Sequence, residues 1–261
     1  MALQPPLQFP PVQPGEPIAV SGTFFSSYEQ CPDQAAGRLR GIFGPESPAS
    51  FRGGLAHRIF ARHLSRGPIP PDEFVAACRE EIGGSMNPKL ASLGMKPSEL
   101  GRLIEEVGDL YDRFRRLGAE GFTGAEVALE AEPAEGVTLR GSIDAVFEDE
   151  GGTRLVDWKT GGLGEPAPQL DFYTLLWALT RDEVPARVEA VSVASGERFE
   201  AAPTRDDVDA VAGRVGEMID HLRRAFSTGE EMPRRAGPWC RWCPLLDGCE
   251  EGHSAAALLE R

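Results

Sequence analysis

The stretch from Val137 to Gly161, VTLRGSIDAVFEDEGGTRLVDWKTG, decides the fold. It reads as two strands, Val137 to Phe147 and Thr153 to Lys159, joined through Asp149-Glu150-Gly151-Gly152, residues suited to a tight hairpin turn. A loop symmetric about Glu150 and Gly151 sets Asp144 opposite Asp157, because the two pairs of residue numbers have the same sum. Side chains alternate along a strand, so Lys159 shares the face of the two carboxylates, while Ile143, Ala145, Phe147, Val156 and Trp158 turn toward an apolar layer. Like charges placed opposite one another destabilise a sheet. A divalent cation would offset that cost: carboxylate oxygens suit Mg²⁺ or Mn²⁺, and a lysine beside them can orient water or neutralise charge growing on a phosphate.

Outward from the hairpin, strands alternate with helices. Glu126 to Glu132 reads as a strand leading into it, Pro168 to Thr180 as a helix, Arg187 to Glu200 as a strand pair about Ala194 to Gly196, and Arg205 to Ser227 as a long amphipathic helix. Upstream, Ser98 to Leu117 and Phe51 to Ser65 carry apolar residues at helical spacing, with His57 in the second run. A break is expected around Gly83 to Pro97, and Ser26-Ser27-Tyr28-Glu29 has the form of a capping box opening a short helix toward Cys31-Pro32. The pattern gives an α/β (α+β) core, a central mixed β-sheet flanked by helices. Residues 1–20 read as a flexible Pro-rich arm, and residues 21–261 as a single domain: 21–120 a mostly helical lobe, 121–203 the sheet core, 204–261 a C-terminal helix and cysteine cluster.

Gly141-Ser142-Ile143-Asp144-Ala145-Val146, then Asp157-Trp158-Lys159-Thr160-Gly161, thirteen residues from one aspartate to the other, resembles the core of the PD-(D/E)XK nuclease superfamily, specifically its RecB-like branch. Gln169 and Tyr173 stand where that branch carries its Q-x-x-x-Y motif on a helix. Gly53-Gly54-Leu55-Ala56-His57 is similar to its helical motif. The resemblance implies a restriction-endonuclease-like fold in which Asp144, Asp157, His57 and the Trp158 carbonyl hold Mg²⁺ or Mn²⁺, with Lys159 catalytic and Gln169 and Tyr173 bracing the site against the strand. It also offers Glu126, ahead of the hairpin, as a further acidic site residue. Without it, His57 would pass for a structural histidine on an apolar helix face, Gln169 for a surface residue and Tyr173 for a packed one.

Four of the five cysteines form a pattern, Cys31 far upstream and then Cys240-x-x-Cys243-x5-Cys249. In a cytoplasmic chain this spacing favours a metal centre over disulfides, and four thiolates serve either Zn²⁺ or an iron-sulfur cluster. Zinc sites usually pair two short Cys-x-x-Cys knuckles, whereas this layout is one plus three. The layout, with Cys31-Pro32 at its start, resembles the [4Fe-4S] staple of AddB-type nucleases and of CRISPR spacer-acquisition nucleases. The resemblance implies a cluster that ties the chain ends together. Cys78 stands alone and reads as a small buried apolar residue.

The net charge of −14 argues against a polyanionic partner, yet its distribution is uneven. Residues 1–66 hold six Arg against four acids, and residues 213–243 hold six Arg against four acids, so both segments are locally positive. No apolar run reaches membrane-spanning length and no signal-peptide pattern opens the chain, which reads as cytoplasmic with no membrane partner. The resemblance implies a DNA exonuclease acting on single strands or ends in repair or recombination. No P-loop motif is present, so unwinding would come from a helicase or other repair partner. Two alternatives stand beside this: DNA-end processing for CRISPR spacer acquisition, and a non-cleaving Fe-S nucleic-acid-binding or redox-sensing module. The paired carboxylates with Lys159 speak against the second.

Overall fold

The computed structural model describes residues 7–259. Its hairpin joins β3 (Val137–Asp149) to β4 (Gly152–Lys159), paired antiparallel from Asp149↔Gly152 to Ala145↔Val156. The turn is held by the Gly151 N–H, which donates to Asp149 Oδ1 at 2.8 Å, and it needs glycine at 152, where φ is +110°. β2 (Phe122–Ala134) runs antiparallel along one whole edge of β3. The other edge is shared: β1 (Ile18–Val20) pairs parallel with Val137 to Leu139, and β4 begins pairing only at Ala145. Between them, residues 140–144 of that edge face neither strand.

From β4 the chain crosses through α7 (Ala167–Arg181) to β5 (Arg187–Ser192), parallel to β4, and turns into β6 (Arg198–Ala201), antiparallel to β5. The result is a six-stranded mixed sheet. One layer of helices, α1 (Gly22–Gln30), α2 (Pro32–Leu39), α7 and α8 (Arg205–Thr228), packs Phe25, Phe172, Leu175 and Met218 against Leu139, Leu155 and Val188. The opposite layer is α3 (Pro48–Arg66), α4 (Phe74–Glu81), α5 (Asn87–Leu93) and α6 (Pro97–Phe114). There Phe60 stacks on Phe114 at 4.1 Å between centroids, and Trp158 meets Phe114 edge-on at 5.2 Å. Burying each such ring stabilises the fold by roughly 1.5–3 kcal/mol and fixes α3 against β4.

Four details depart from expectation. Ala145, Phe147, Val156 and Trp158 form the layer against α3 and α6, but Ile143 packs in the opposite core. Across the ladder at that point, between Val127↔Ile143 and Ala125↔Ala145, Glu126 has a φ of +49°, so the change of layer coincides with a left-handed residue on β2. Residues 7–20, expected as a mobile arm, are docked: Leu7, Phe9 and Val12 pack on the core, Gln13 N–H donates to Asp220, and Ile18 and Val20 enter the sheet. Residues 1–6 of that arm lie outside the described residues. Ser21 caps α1, its hydroxyl accepting from Phe24 N–H at 3.2 Å, so Ser26 sits inside the helix and not at its start. The expected break at Gly83 narrows to Gly94, since a π-helical turn (Ile82–Met86) carries α4 directly into α5. Among the described residues no helix is long and apolar enough to cross a membrane.

Candidate active site

The gap in the β3 edge is where the reactive side chains meet. Past Ala145↔Val156 the two strands part, and the Trp158 N–H is met by the Asp144 side chain, Oδ2 accepting at 2.7 Å. Asp144 Oδ1 lies 3.0 Å from His57 Nδ1, which α3 delivers from the opposite layer. Glu126 completes this end: the ligand atoms of His57, Glu126 and Asp144 all lie within 4.8 Å of one another, and Ser142 Oγ donates to Glu126 Oε2 at 3.1 Å. A non-glycine residue in the left-handed region costs about 1–2 kcal/mol, so Glu126 is held in place against its own backbone preference.

The other end is built by β4 and α7. Lys159 Nζ stands 2.7 Å from Asp157 Oδ2 and donates to Gln169 Oε1 at 2.7 Å. Gln169 Nε2 donates to Asp157 Oδ1 at 3.1 Å and to Tyr173 Oη at 2.8 Å. Gln169 and Tyr173 share a face because they are four apart on α7. Close backing comes from α1: a Cβ on Gly22 would stand 3.3 Å from both Gln169 and Tyr173.

The charges are tightly coupled. Burial, then the Asp144 charge, raises the pKa of Asp157 to about 6 in spite of Lys159. Burial alone would lower His57, but Asp144, Asp157 and Glu126 together outweigh it and hold the imidazole above its ordinary value. Burial and Asp144 likewise raise Glu126, and burial with Asp157 and Asp144 raises the Tyr173 hydroxyl. Three carboxylates gathered in one partly buried place leave a deficit of positive charge. The residues fit a divalent cation on one observation: the three-ligand group above, whose donor atoms are two carboxylate oxygens and an imidazole nitrogen.

Each residue expected at the site from the sequence is therefore in one connected cluster, with two qualifications of role. Trp158 offers its N–H to Asp144, and Asp157 lies toward Lys159 and Gln169 instead of within the His57–Glu126–Asp144 group. His63 and His221 are occupied elsewhere, by Tyr111 and Tyr28. Ser142, which steadies Glu126, was not expected; its place two residues before Asp144 on the same strand is the signal that would have found it.

The family model of the PD-(D/E)XK nuclease superfamily matches residues 19–250. The chain belongs to this superfamily. The match takes in the hairpin, the α3 histidine and all four of the patterned cysteines. Among curated proteins, this chain is 28% identical over 117 residues to the Gene 69 protein of Mycobacterium phage L5, which covers 44% of this chain and 40% of that protein. The chain thus matches about two fifths of that relative's length. Among solved structures, one named "Putative exonuclease" from Eubacterium rectale superposes with a TM-score of 0.55 at 12% identity, covering 87% of this chain and 86% of that one, a likeness of fold.

Proposed function

We propose that this nuclease is a metal-dependent DNA exonuclease of the RecB-like kind, hydrolysing phosphodiester bonds of single strands or ends in repair or recombination, with a helicase or repair partner supplying substrate. The observation that carries the reading is the single network of Asp144, Asp157, Lys159 and Gln169 at the parting of β3 and β4, with His57 and Glu126 closing it. Asp144, Asp157, His57 and Glu126, with the Trp158 carbonyl, would hold Mg²⁺ or Mn²⁺, which when bound polarises the scissile phosphate and lowers the pKa of the attacking water. Lys159, held between Asp157 and Gln169, would set its ammonium where it could orient that water or offset the charge developing on the phosphate. Gln169 and Tyr173 keep that lysine and the strand in register.

The four patterned cysteines are assigned a [4Fe-4S] cluster within the same proposal. Their convergence supports it: burial raises the Cys243 thiol, and Cys31, Cys240 and Cys249 are all near enough to raise it further against a Leu245 hydrogen bond. Backbone N–H groups of Gly237 and Gly252 point at Cys240 Sγ and Cys249 Sγ, at 3.4 and 3.3 Å, as donors do toward thiolate ligands. Arg234 spans Asp33 and Glu251 at 3.0 and 3.8 Å and so joins the two chain segments around them.

The test is end-labelled single-stranded and duplex DNA incubated with anaerobically purified protein and Lys159→Ala, with Mn²⁺ and with chelator. Metal-dependent shortening by the wild type alone is expected. Cleavage of neither DNA under any metal would overturn the reading.

A further inference from the structure

The metal-ligand group opens into a cleft of about 710 Å³ between α3 on one side and the π-helical turn and α5 on the other. Its α3 wall is made of two adjacent ridges. His57, Ala61 and Ser65 form one, at four-residue spacing, and Arg58, Arg62 and Arg66 form the next. The first ridge drops from the imidazole to two small side chains, giving a floor. The second raises three guanidinium groups along its rim. Arg62 is neutralised by Glu80 and Glu81 at 2.6 and 3.5 Å, but Arg58 and Arg66 carry no ion pair among the described residues. Lys89 faces them from α5, more than half exposed, with Glu46 3.7 Å from its ammonium.

We propose that this cleft is the path of one nucleic-acid strand leaving the cleavage site, with Arg58, Arg66 and Lys89 binding its phosphates. This rests on the nuclease reading above and adds the course and strandedness of the substrate. The walls meet at the base, where the Met86 methyl lies 3.5 Å from where a Cβ on Gly54 would stand, and a cleft of about 710 Å³ suits a single backbone rather than a duplex. From His57 to Arg66 the helix rises about 13 Å. That is the length of about four stacked nucleotides. The cleft is mixed in charge, with Glu81, Glu126 and Asp144 among its lining residues, so in a chain of net charge −14 it is Arg58 and Arg66, without an ion pair among the described residues, that supply the local attraction, which acts over about a Debye length.

The experiment measures anisotropy of a labelled twelve-nucleotide oligo-dT with Lys159→Ala protein in Mn²⁺ across a salt series, adding Arg58→Gln with Arg66→Gln, and separately Lys89→Gln. Arg102→Gln, the same charge change on α6, serves as control. The double variant should bind about tenfold more weakly, and its slope of log affinity against log salt should be shallower by about 1.4, at about 0.7 for each phosphate no longer neutralised. Lys89→Gln should remove about half as much slope, and Arg102→Gln none. Thermal melts check that each variant is folded. Unchanged affinity and slope in the double variant, or no binding by the parent, overturns the proposed path. Wild-type cleavage is assayed alongside: cleavage indifferent to Arg58 and Arg66 sinks the path and leaves the nuclease, whereas groove-dependent binding without any cleavage sinks the nuclease reading and leaves the path.

Discussion

Asp144 Oδ2 accepts the backbone N–H of Trp158 at 2.7 Å, taking the part of the strand partner that β3 ceases to supply after Ala145. One carboxylate thereby finishes the hairpin and faces the cation site. The two duties separate by substitution. Asp144→Asn keeps an amide oxygen for Trp158, so its melting temperature should stay within a few degrees while Mn²⁺ affinity falls at least tenfold by calorimetry. Asp144→Ala leaves that N–H without an acceptor and should cost a further ~1–3 kcal/mol in denaturant unfolding.

Lys159→Ala should lower kcat by at least about a hundredfold, the scale seen when a group that stabilises developing charge is removed. Mn²⁺ binding should persist, because Asp144, His57 and Glu126 are untouched. Loss of Mn²⁺ binding together with activity would place Lys159 in the structure of the site and not in its chemistry.

Asp157 makes metal-free protein sensitive to pH in a defined direction. Its pKa is raised from 3.8 to about 6, so the folded state holds the proton more tightly than the unfolded chain does. Stability is therefore undiminished below pH 4, falls as pH rises to about 6, and stays reduced above. In chelator, Asp157→Asn should be more stable than wild type by roughly 3 kcal/mol at pH 7.5, the worth of about two pKa units. The difference should vanish at pH 3.5. Equal denaturation midpoints at both pH values would show that Asp157 is not strained by its neighbours.

Glu126→Gly separates stability from function. The left-handed φ of +49° suits glycine, so the backbone gains about 1 kcal/mol, while the cation loses a ligand. A melting temperature equal to or above wild type with weaker Mn²⁺ binding is expected; a marked loss of stability would mean the Ser142 hydrogen bond outweighs the backbone strain.

Cys243→Ser should remove the brown colour of anaerobically prepared protein along with several degrees of melting temperature, since Cys31 and Cys249 close a loop of more than two hundred residues. Iron analysis and absorbance near 400 nm decide the first part. Zinc and no iron in the wild type would replace the cluster with a zinc site.

The hairpin register was legible because the turn residues sit symmetrically between Asp144 and Asp157, and pairing propagates from the turn. The layer of Ile143 was not, because the change of face coincides with one left-handed residue on the neighbouring strand, which alternation cannot foresee. The docking of residues 7–17 left no periodic trace either. Their backbone carbonyls are gripped by Arg223, and Pro10 rests on Gly216, contacts that need no apolar pattern in the arm itself. At the site, His57 and Gln169 carried no chemical signal of their own in sequence; family likeness singled them out, and only the structure shows His57 against Asp144 and Gln169 between Lys159 and Asp157.

Helix α1 begins at Gly22, pressed against Gln169 and Tyr173, and runs into Cys31, about 13 Å away. It links the cysteine end of the chain to the side chains that hold Lys159. If the cysteines hold an oxygen-labile cluster, its loss should free one end of that link and loosen the glutamine that holds Lys159. Air-damaged preparations should then retain their divalent cation and turn over slowly, so an assay in open buffer would mistake an oxygen-sensitive enzyme for a poor one.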